Sequence, residues 1–394
     1  MSKAGPSILY ASPMCSLDMT SGAAISMHAL LASLATRGYR AVALEAQLFD
    51  CEEGGERVAQ ATRDADLQTH EVLHTTVHGV EHFMVRTRSS RRLEMTSREE
   101  ELFLQRLRHE LLRNRPDMVI LSGDLMLEGV VMHEARLLKI PVVFYLAHGG
   151  YERRETFRDV SVVVTDTQAT ADLYKKRLGL DCKPVGKFID AARFKAPQRR
   201  PEFITFINPE FEKGVHVFMA LALLASREAP ELKFLVVQSR GRWEAALAVL
   251  AHSPADFPNV KVIGHQLDMR PVYAVTQVLL VPSVWHESGG RVVVEALVNG
   301  IPVLASRCGG PPELAGEAGV IFDLPGDVTT QRNERAPEAV VRPWLEELRR
   351  IFGDSAYYEE LVSRANRQAL KHDVRHSTDR FLAAVMPTAD LPAA

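Results

Sequence analysis

Short apolar runs alternate with helix-length segments along nearly the whole chain. In the first half the runs are Ser7–Tyr10, Ala41–Leu44, Met118–Leu121, Val142–Leu146 and Ser161–Thr165. Each is rich in Val, Ile or Leu and bounded by polar or turn residues, the pattern of strands buried on both faces of a parallel sheet. Between the first two, Ala23–Thr36 carries Ile25, Leu30, Leu31 and Leu34 at helical spacing. Thr20 or Ser21 is the expected cap and Gly38 the expected stop. The second half repeats the plan, with strands predicted at Phe203–Ile207, Phe234–Val237, Val260–Ile263, Val278–Val281, Val303–Ala305 and Val320–Phe322. Helices are predicted at Val215–Ser226, Trp243–Ala251 and Arg291–Val298, and later near Trp344–Phe352 and Tyr357–Lys371. Strand–helix alternation in both halves predicts two doubly wound α/β domains.

One stretch breaks the alternation. Leu73–Val85 reads as a hairpin turning at His78-Gly79. His70, His74, His78 and His82 recur there at every fourth position, but a hairpin would separate them. The proline-containing, aperiodic Asp190–Pro201 predicts the domain join, and polar Leu324–Arg335 predicts a second loop. The expected layout is an N-terminal domain over 1–190 and a C-terminal domain over 191–365. A C-terminal helix and tail over 366–394 would return toward the first domain, with Thr388–Ala394 frayed.

Composition narrows the class. The 394 residues suit two domains. Hydrophobic and charged shares of 46% and 25% exclude disorder as the main theme. A formal net charge of −3 gives no basic footprint for nucleic acid. No apolar run approaches the roughly 18–20 residues of a membrane span, and the first residues carry no signal-peptide core. The 4 cysteines, Cys15, Cys51, Cys182 and Cys308, form no CxxC pair. Reduced thiols and a cytoplasmic location are expected.

The densest chemistry lies in Val281–Ala296. A strand end is followed by Glu287, then Gly289-Gly290, then a helix bearing Glu295. Glycines let backbone N–H groups approach a ligand, and the helix N-terminus favours phosphate. Carboxylates there suit sugar or ribose hydroxyls. The plainer reading is a glycine-rich turn with two solvated glutamates. Lys213, in Asn208–Gly214 after the first strand of the second domain, sits at the sheet edge where ligands bind in such folds.

These residues resemble the retaining glycosyltransferases of the GT-B fold, specifically family 4 (group 1). Glu287 and Glu295, seven residues between them, look like that family's paired-glutamate motif. Gly300-Ile301-Pro302-Val303 and Gly309-Gly310 look like its continuation, and Lys213-Gly214 like its phosphate-binding lysine. Val185–Asp190 and Phe194 resemble its interdomain segment. Ser21-Gly22 resembles its glycine-rich first loop, and His148 falls where it often has an active-site histidine. The likeness covers most of the chain and is weak between 50 and 115.

The resemblance implies an α/β protein of GT-B type, two Rossmann-like domains facing across a cleft. It implies transfer of a sugar from a nucleotide-diphosphate donor, UDP-sugar as first choice, with retention of configuration. No further cofactor or metal is expected. His148 and Glu287 would be catalytic. Gly22, Asn208, Lys213, Arg240, His265, Ser288, Gly289, Gly290, Arg291 and Glu295 would bind the donor, Glu295 through the ribose and the Gly264–Gln266 segment beside the base. Asn208 stands where the family commonly has arginine, so Arg240 or Arg291 would have to supply that charge. Position 289 is glycine where an aromatic is frequent, which would widen the sugar pocket. Arg153 and Arg154, following His148, are candidate contacts for an unidentified hydroxyl acceptor. An epimerase or phosphorylase on the same fold, and a non-catalytic nucleotide-sugar binder, stand as alternatives.

Other patterns read as ordinary structure. His286-Glu287 lacks a zincin's second histidine, which is Gly290. Asp64-Ala65-Asp66 sits in a polar stretch, not after a strand. His372 and His376 read as a surface face. Between Val85 and Arg115 stand nine arginines against five glutamates. Phe103, Leu104, Leu107, Leu111 and Leu112 there form an apolar stripe. The first reading is a helix packed on the sheet; the second is contact with an acidic acceptor or an anionic membrane surface.

Overall fold

The computed structural model describes residues 5–61, 72–330 and 333–386. The Asp64/Asp66 pair, His70 and the tail after 386 lie outside them. The chain divides into two compact units, Met1–Phe188 with Val374–Ala394, and Ile189–Asp373.

The first unit holds β1 (Ser7–Ala11), β2 (Arg40–Ala46), β3 (Val72–Val77), β4 (Val80–Val85), β5 (Met118–Leu121), β6 (Val142–Leu146), β7 (Val162–Thr165) and β8 (Cys182–Pro184). Their order is β3-β4-β2-β1-β5-β6-β7-β8, with only the β3–β4 hairpin antiparallel. Helix Gly22–Thr36 covers one face, burying Leu30, Leu31 and Leu34. Helix Val374–Val385 joins that face through Phe381, packed edge-on against Phe188. Ser377 and Arg380 of this helix bind the carbonyls of Lys187 and Val185 at 2.9 Å each. Helix Ser97–His109 covers the other face with Phe103 and Leu107; Leu111 follows it into the core. It opens with a capping box, Thr96 with Glu99. Buried Lys187 bridges to Asp166 at 2.7 Å, and Asp166 accepts from Tyr145 at 2.6 Å.

The second unit holds β9 (Phe203–Ile207), β10 (Phe234–Val237), β11 (Val260–Ile263), β12 (Thr276–Val281), β13 (Val303–Ser306) and β14 (Gly319–Phe322), all parallel in the order β11-β10-β9-β12-β13-β14. Phe218 of helix Val215–Glu228 stacks on Phe206 at 4.7 Å, and Trp344 of helix Glu338–Gly353 stacks on Phe322 at 4.3 Å. Full burial of such a side chain contributes roughly 1.5–3 kcal/mol.

Several expectations need correction. Ser21 is the N-cap of the first helix, but no side chain caps it. Thr20 turns instead to Asp18, at 2.5 Å. The 324–335 loop contains a short helix, Gly326–Thr330. Leu112 leaves the apolar stripe and is exposed, because the helix widens to a π turn over Glu110–Asn114. His372 is buried, its Nε2 2.9 Å from the Leu314 carbonyl, while His376 is exposed. The hairpin does not scatter its histidines fully. His78 and His82 both meet His28 of the first helix, His78 at 2.9 Å between ring nitrogens. His82 in turn lies 3.2 Å from Glu45. Among the described residues no group of three His, Cys, Asp or Glu is arranged to hold a metal, and no helix is long and apolar enough to cross a membrane.

Candidate functional site

In the second unit the connections from β9 and β12 leave neighbouring strands in opposite directions. The crevice between such connections is where open parallel sheets bind ligands. Both connections touch there. Gly214 ends the β9 loop at φ +82, and a Cβ on it would lie 1.9 Å from the Pro282 carbonyl oxygen. Val284 N–H donates to the Glu212 carbonyl at 3.0 Å. This approach brings Lys213 Nζ to 3.0 Å from Glu287 Oε1. Ser283 Oγ donates to the same carboxylate oxygen.

The Glu287 loop is also held from β13. Glu287 pairs as a bridge with Gly309, and Gly310 N–H donates to the Glu287 carbonyl at 2.7 Å. Gly309 has φ +73, and a Cβ there would meet Glu287 O at 2.3 Å. Ser288 and Gly289 are buried. Gly290 caps helix Arg291–Val298 at φ +62, and a Cβ on it would lie 3.3 Å from Glu287 Oε2.

One turn into that helix, Glu295 is fully buried. Arg291 lies 2.7 Å from its Oε1, and the Tyr273 hydroxyl donates to Oε2 at 2.5 Å. Burial and the adjacent Glu295 charge push the Tyr273 hydroxyl well above its ordinary pKa, so it stays a donor. Each carboxylate of the Glu287–Glu295 pair therefore carries its own cation. Tyr273 and Ser283 are site residues that sequence reasoning missed. Ser283 lay inside the Val281–Ala296 window without an assigned role, and Tyr273 stood in no marked pattern.

Asn208 has a backbone φ of +64, a conformation asparagine tolerates better than most residues. Its Oδ1 accepts from Gly241 N–H at 2.7 Å, and its Nδ2 donates to Glu210 at 2.8 Å. It thus staples the β9 loop to the β10 loop. Arg240 of that second loop reaches the same Glu210 carboxylate at 3.5 Å. Arg240 thus lies beside Asn208 and is paired with Glu210, as Arg291 is with Glu295. His265 lies after β11, its Nε2 buried and without a hydrogen-bond partner among the described residues.

In the first unit, Gly22 is the first residue of its helix. His148 follows β6 and stacks on Tyr151 at 4.4 Å. Gly150 N–H donates to His148 Nδ1 at 3.1 Å, which leaves the proton of the neutral ring on Nε2. Burial holds the His148 pKa below its ordinary value. Tyr151 also accepts from Gly123 N–H at 3.1 Å. Arg153 is exposed. Arg154 is turned away onto the Leu178 carbonyl at the end of helix Gln168–Leu178.

Residues 202–332, which include β9 to β14, match the family described as glycosyl transferases group 1. The matched segment is a group 1 glycosyltransferase domain. A relative 25% identical is the sulfoquinovosyl transferase SQD2 of Arabidopsis thaliana. The alignment covers 311 residues, 70% of this chain and 58% of that protein's length. Anabaena HepE, solved with UDP and glucose, is similar with a TM-score of 0.65 at 15% identity, over 96% of this chain and 98% of that one. A glycosyltransferase from Rickettsia africae gives 0.70 at 12% identity, over 96% and 97%. Sucrose-phosphate synthase of Thermosynechococcus elongatus gives 0.66 at 14%, also over 96% and 97%. The fold is GT-B. In this glycosyltransferase domain, the family match contains the whole Lys213–Glu287–Glu295 constellation.

Proposed function

We propose that this chain is a retaining glycosyltransferase that moves a sugar from a nucleoside-diphosphate donor, a UDP-sugar first, onto a hydroxyl acceptor. The observation that carries the reading is the Lys213–Glu287 pair, 3.0 Å apart at the sheet's switch point beside Gly290. Both carboxylates of the site are neutralised by cations. A nucleotide sugar is the ligand that answers all four groups. Its phosphates can take Lys213 and Arg291, and its sugar and ribose hydroxyls can take Glu287 and Glu295. Arg240 supplies the charge that Asn208 lacks. Complexes of Anabaena HepE with UDP and with UDP-glucose support a UDP donor by analogy.

In the reaction the bond from the anomeric carbon to the leaving phosphate oxygen breaks. The acceptor oxygen bonds to the same face of that carbon, and its proton passes to the leaving phosphate. Negative charge grows on the diphosphate, so Lys213, Arg291 and the N–H groups at Gly290–Arg291 lower the barrier. A single fixed donor of this kind is worth about 10²–10³ in rate. His148 is the catalytic residue proposed from the first unit; it is neutral near pH 7, with its Nε2 proton free to donate. In the second unit the base rests by His265. Arg153 is kept as the acceptor contact. Arg154 and its carbonyl bond serve structure.

The test is a binding screen of UDP, GDP and ADP, each with and without glucose, N-acetylglucosamine or mannose attached. A ligand of the native state raises apparent stability by RT ln(1 + [L]/Kd). One base should shift melting, and Lys213→Ala/Arg240→Ala should abolish the shift. No shift with any of them removes the donor reading and leaves a domain without nucleotide-sugar function.

A further inference from the structure

Trp285 stands two residues before Glu287 in the loop after β12 and has no role so far. Its indole Nε1 is buried and has no hydrogen-bond partner among the described residues. Native structures leave few such donors unanswered. The Trp344 indole is likewise unanswered, but it lies in the helix–sheet core. Trp285 lies beside the charged pair. Lys213 Nζ sits 5.5 Å from its ring centroid, a cation–π distance. Its backbone is pinned too, since the Cys308 thiol donates to the Trp285 carbonyl at 2.8 Å. A rigid aromatic wall with one idle N–H beside Lys213 and Glu287 is a binding element.

We infer that Trp285 reads the transferred sugar: its ring walls the sugar pocket, and its indole N–H donates to a sugar oxygen. This rests on the nucleotide-sugar reading of the site.

The chain has 3 tryptophans, and Trp243 and Trp344 are buried to 3% and 1% exposure. Trp285 is the half-buried one, so a ligand-dependent change in intrinsic fluorescence is expected to come from it. The experiment titrates wild type and Trp285→Phe with UDP, UDP-glucose, UDP-N-acetylglucosamine and GDP-mannose, by calorimetry and by emission. Phenylalanine keeps the ring and Lys213's neighbour but removes the N–H. Trp285→Phe should weaken the preferred nucleotide sugar by about 3- to 10-fold, the loss of one neutral hydrogen bond. Affinity for the bare diphosphate should stay within about 2-fold. The sugar-dependent emission change should vanish in the variant. Equal weakening of diphosphate and nucleotide sugar, no weakening of either, or an emission change that survives in Trp285→Phe overturns the inference while leaving the donor reading intact. Absence of binding by wild type to every probe instead overturns the donor reading, and this inference with it. A melting curve of Trp285→Phe matching wild type shows that the variant is folded.

Discussion

The sharpest consequence of the site is that Glu287 should hinder binding of the bare diphosphate. In the free protein Lys213 is already spoken for. Two unit charges 3.0 Å apart at an effective dielectric near 20 attract by about 5–6 kcal/mol before desolvation. Lys213 keeps 22% and Glu287 7% side-chain exposure. Desolvation of such a pair removes most of that attraction, and a net of about 1–2 kcal/mol is left. UDP must break this pair and gains no hydroxyl partner for Glu287 in return. Glu287→Gln should therefore tighten UDP by about 5- to 30-fold. Lys213→Met should weaken UDP in either background, but by about 5- to 30-fold more when Glu287 is already Gln. The excess measures the pair itself. Glutamine keeps the bond from Ser283, so the loop stays in place. Calorimetric titration of wild type, both single variants and the double variant with UDP closes the cycle. With the full nucleotide sugar the sign reverses: Glu287→Gln loses the sugar contact, and turnover falls. An additive cycle, or weaker UDP binding in Glu287→Gln, would falsify the exchange of partners proposed for this site.

Three further outcomes are expected. Tyr273→Phe removes the neutral donor to buried Glu295 and should cost about 1–3 kcal/mol of stability, read as a lower denaturant midpoint at unchanged slope. Gly309→Ala places a methyl 2.3 Å from Glu287 O at a positive φ, so it should lower the melting temperature and abolish UDP-sugar binding together, whereas Gly326→Ala, with open space around it, should do neither. His148 titrates below its unfolded value because burial opposes its charge. The unfolded chain then binds the extra proton first, so this stability term is complete above about pH 6.5 and is lost as pH falls toward the lowered native pKa. Denaturation at pH 5 and pH 7.5 should show a smaller loss in His148→Gln than in wild type.

Much of the scaffold could be read from apolar runs alone. Met118–Leu121, Val142–Leu146, Phe203–Ile207, Phe234–Val237 and Val260–Ile263 are strands with the expected ends. Most are central strands covered on both faces, so burial leaves an uninterrupted apolar stretch. The edge strand Cys182–Pro184 escaped because three residues, two of them exposed, leave no such stretch. Leu112 misled for the opposite reason. Its spacing fits an ideal helix, and one π turn rotates it out. His372 looked like a surface residue, yet it packs on Leu314, 58 positions earlier. At the site, Lys213, Glu287 and Glu295 were legible from their place after strands and beside glycines. Their partners were not. Tyr273 reaches Glu295 from a six-residue helix, and Arg240 reaches Glu210 from the next βα loop. Such meetings depend on which strands adjoin, and linear spacing carries no record of that.

The first unit is completed by helix Val374–Val385. Ser377 and Arg380 fasten Val374–Val385 to the carbonyls of Lys187 and Val185, the residues just before the chain departs for the second unit. The second unit is thus a guest inserted in an uninterrupted stretch, and the host is written in two pieces. A fragment of residues 189–373 keeps every strand of its sheet and is a candidate for separate expression. A fragment ending at residue 188 loses the Phe381 wedge and uncovers Phe188 and the first helix. Rejoining residues 374–386 to it, by permutation or by supplying them as a peptide, is what an isolated first unit requires. On a ribosome all eight strands of the first sheet emerge before the guest, but the helix that completes the unit follows it, so nearly half the chain is synthesised between the host's two pieces.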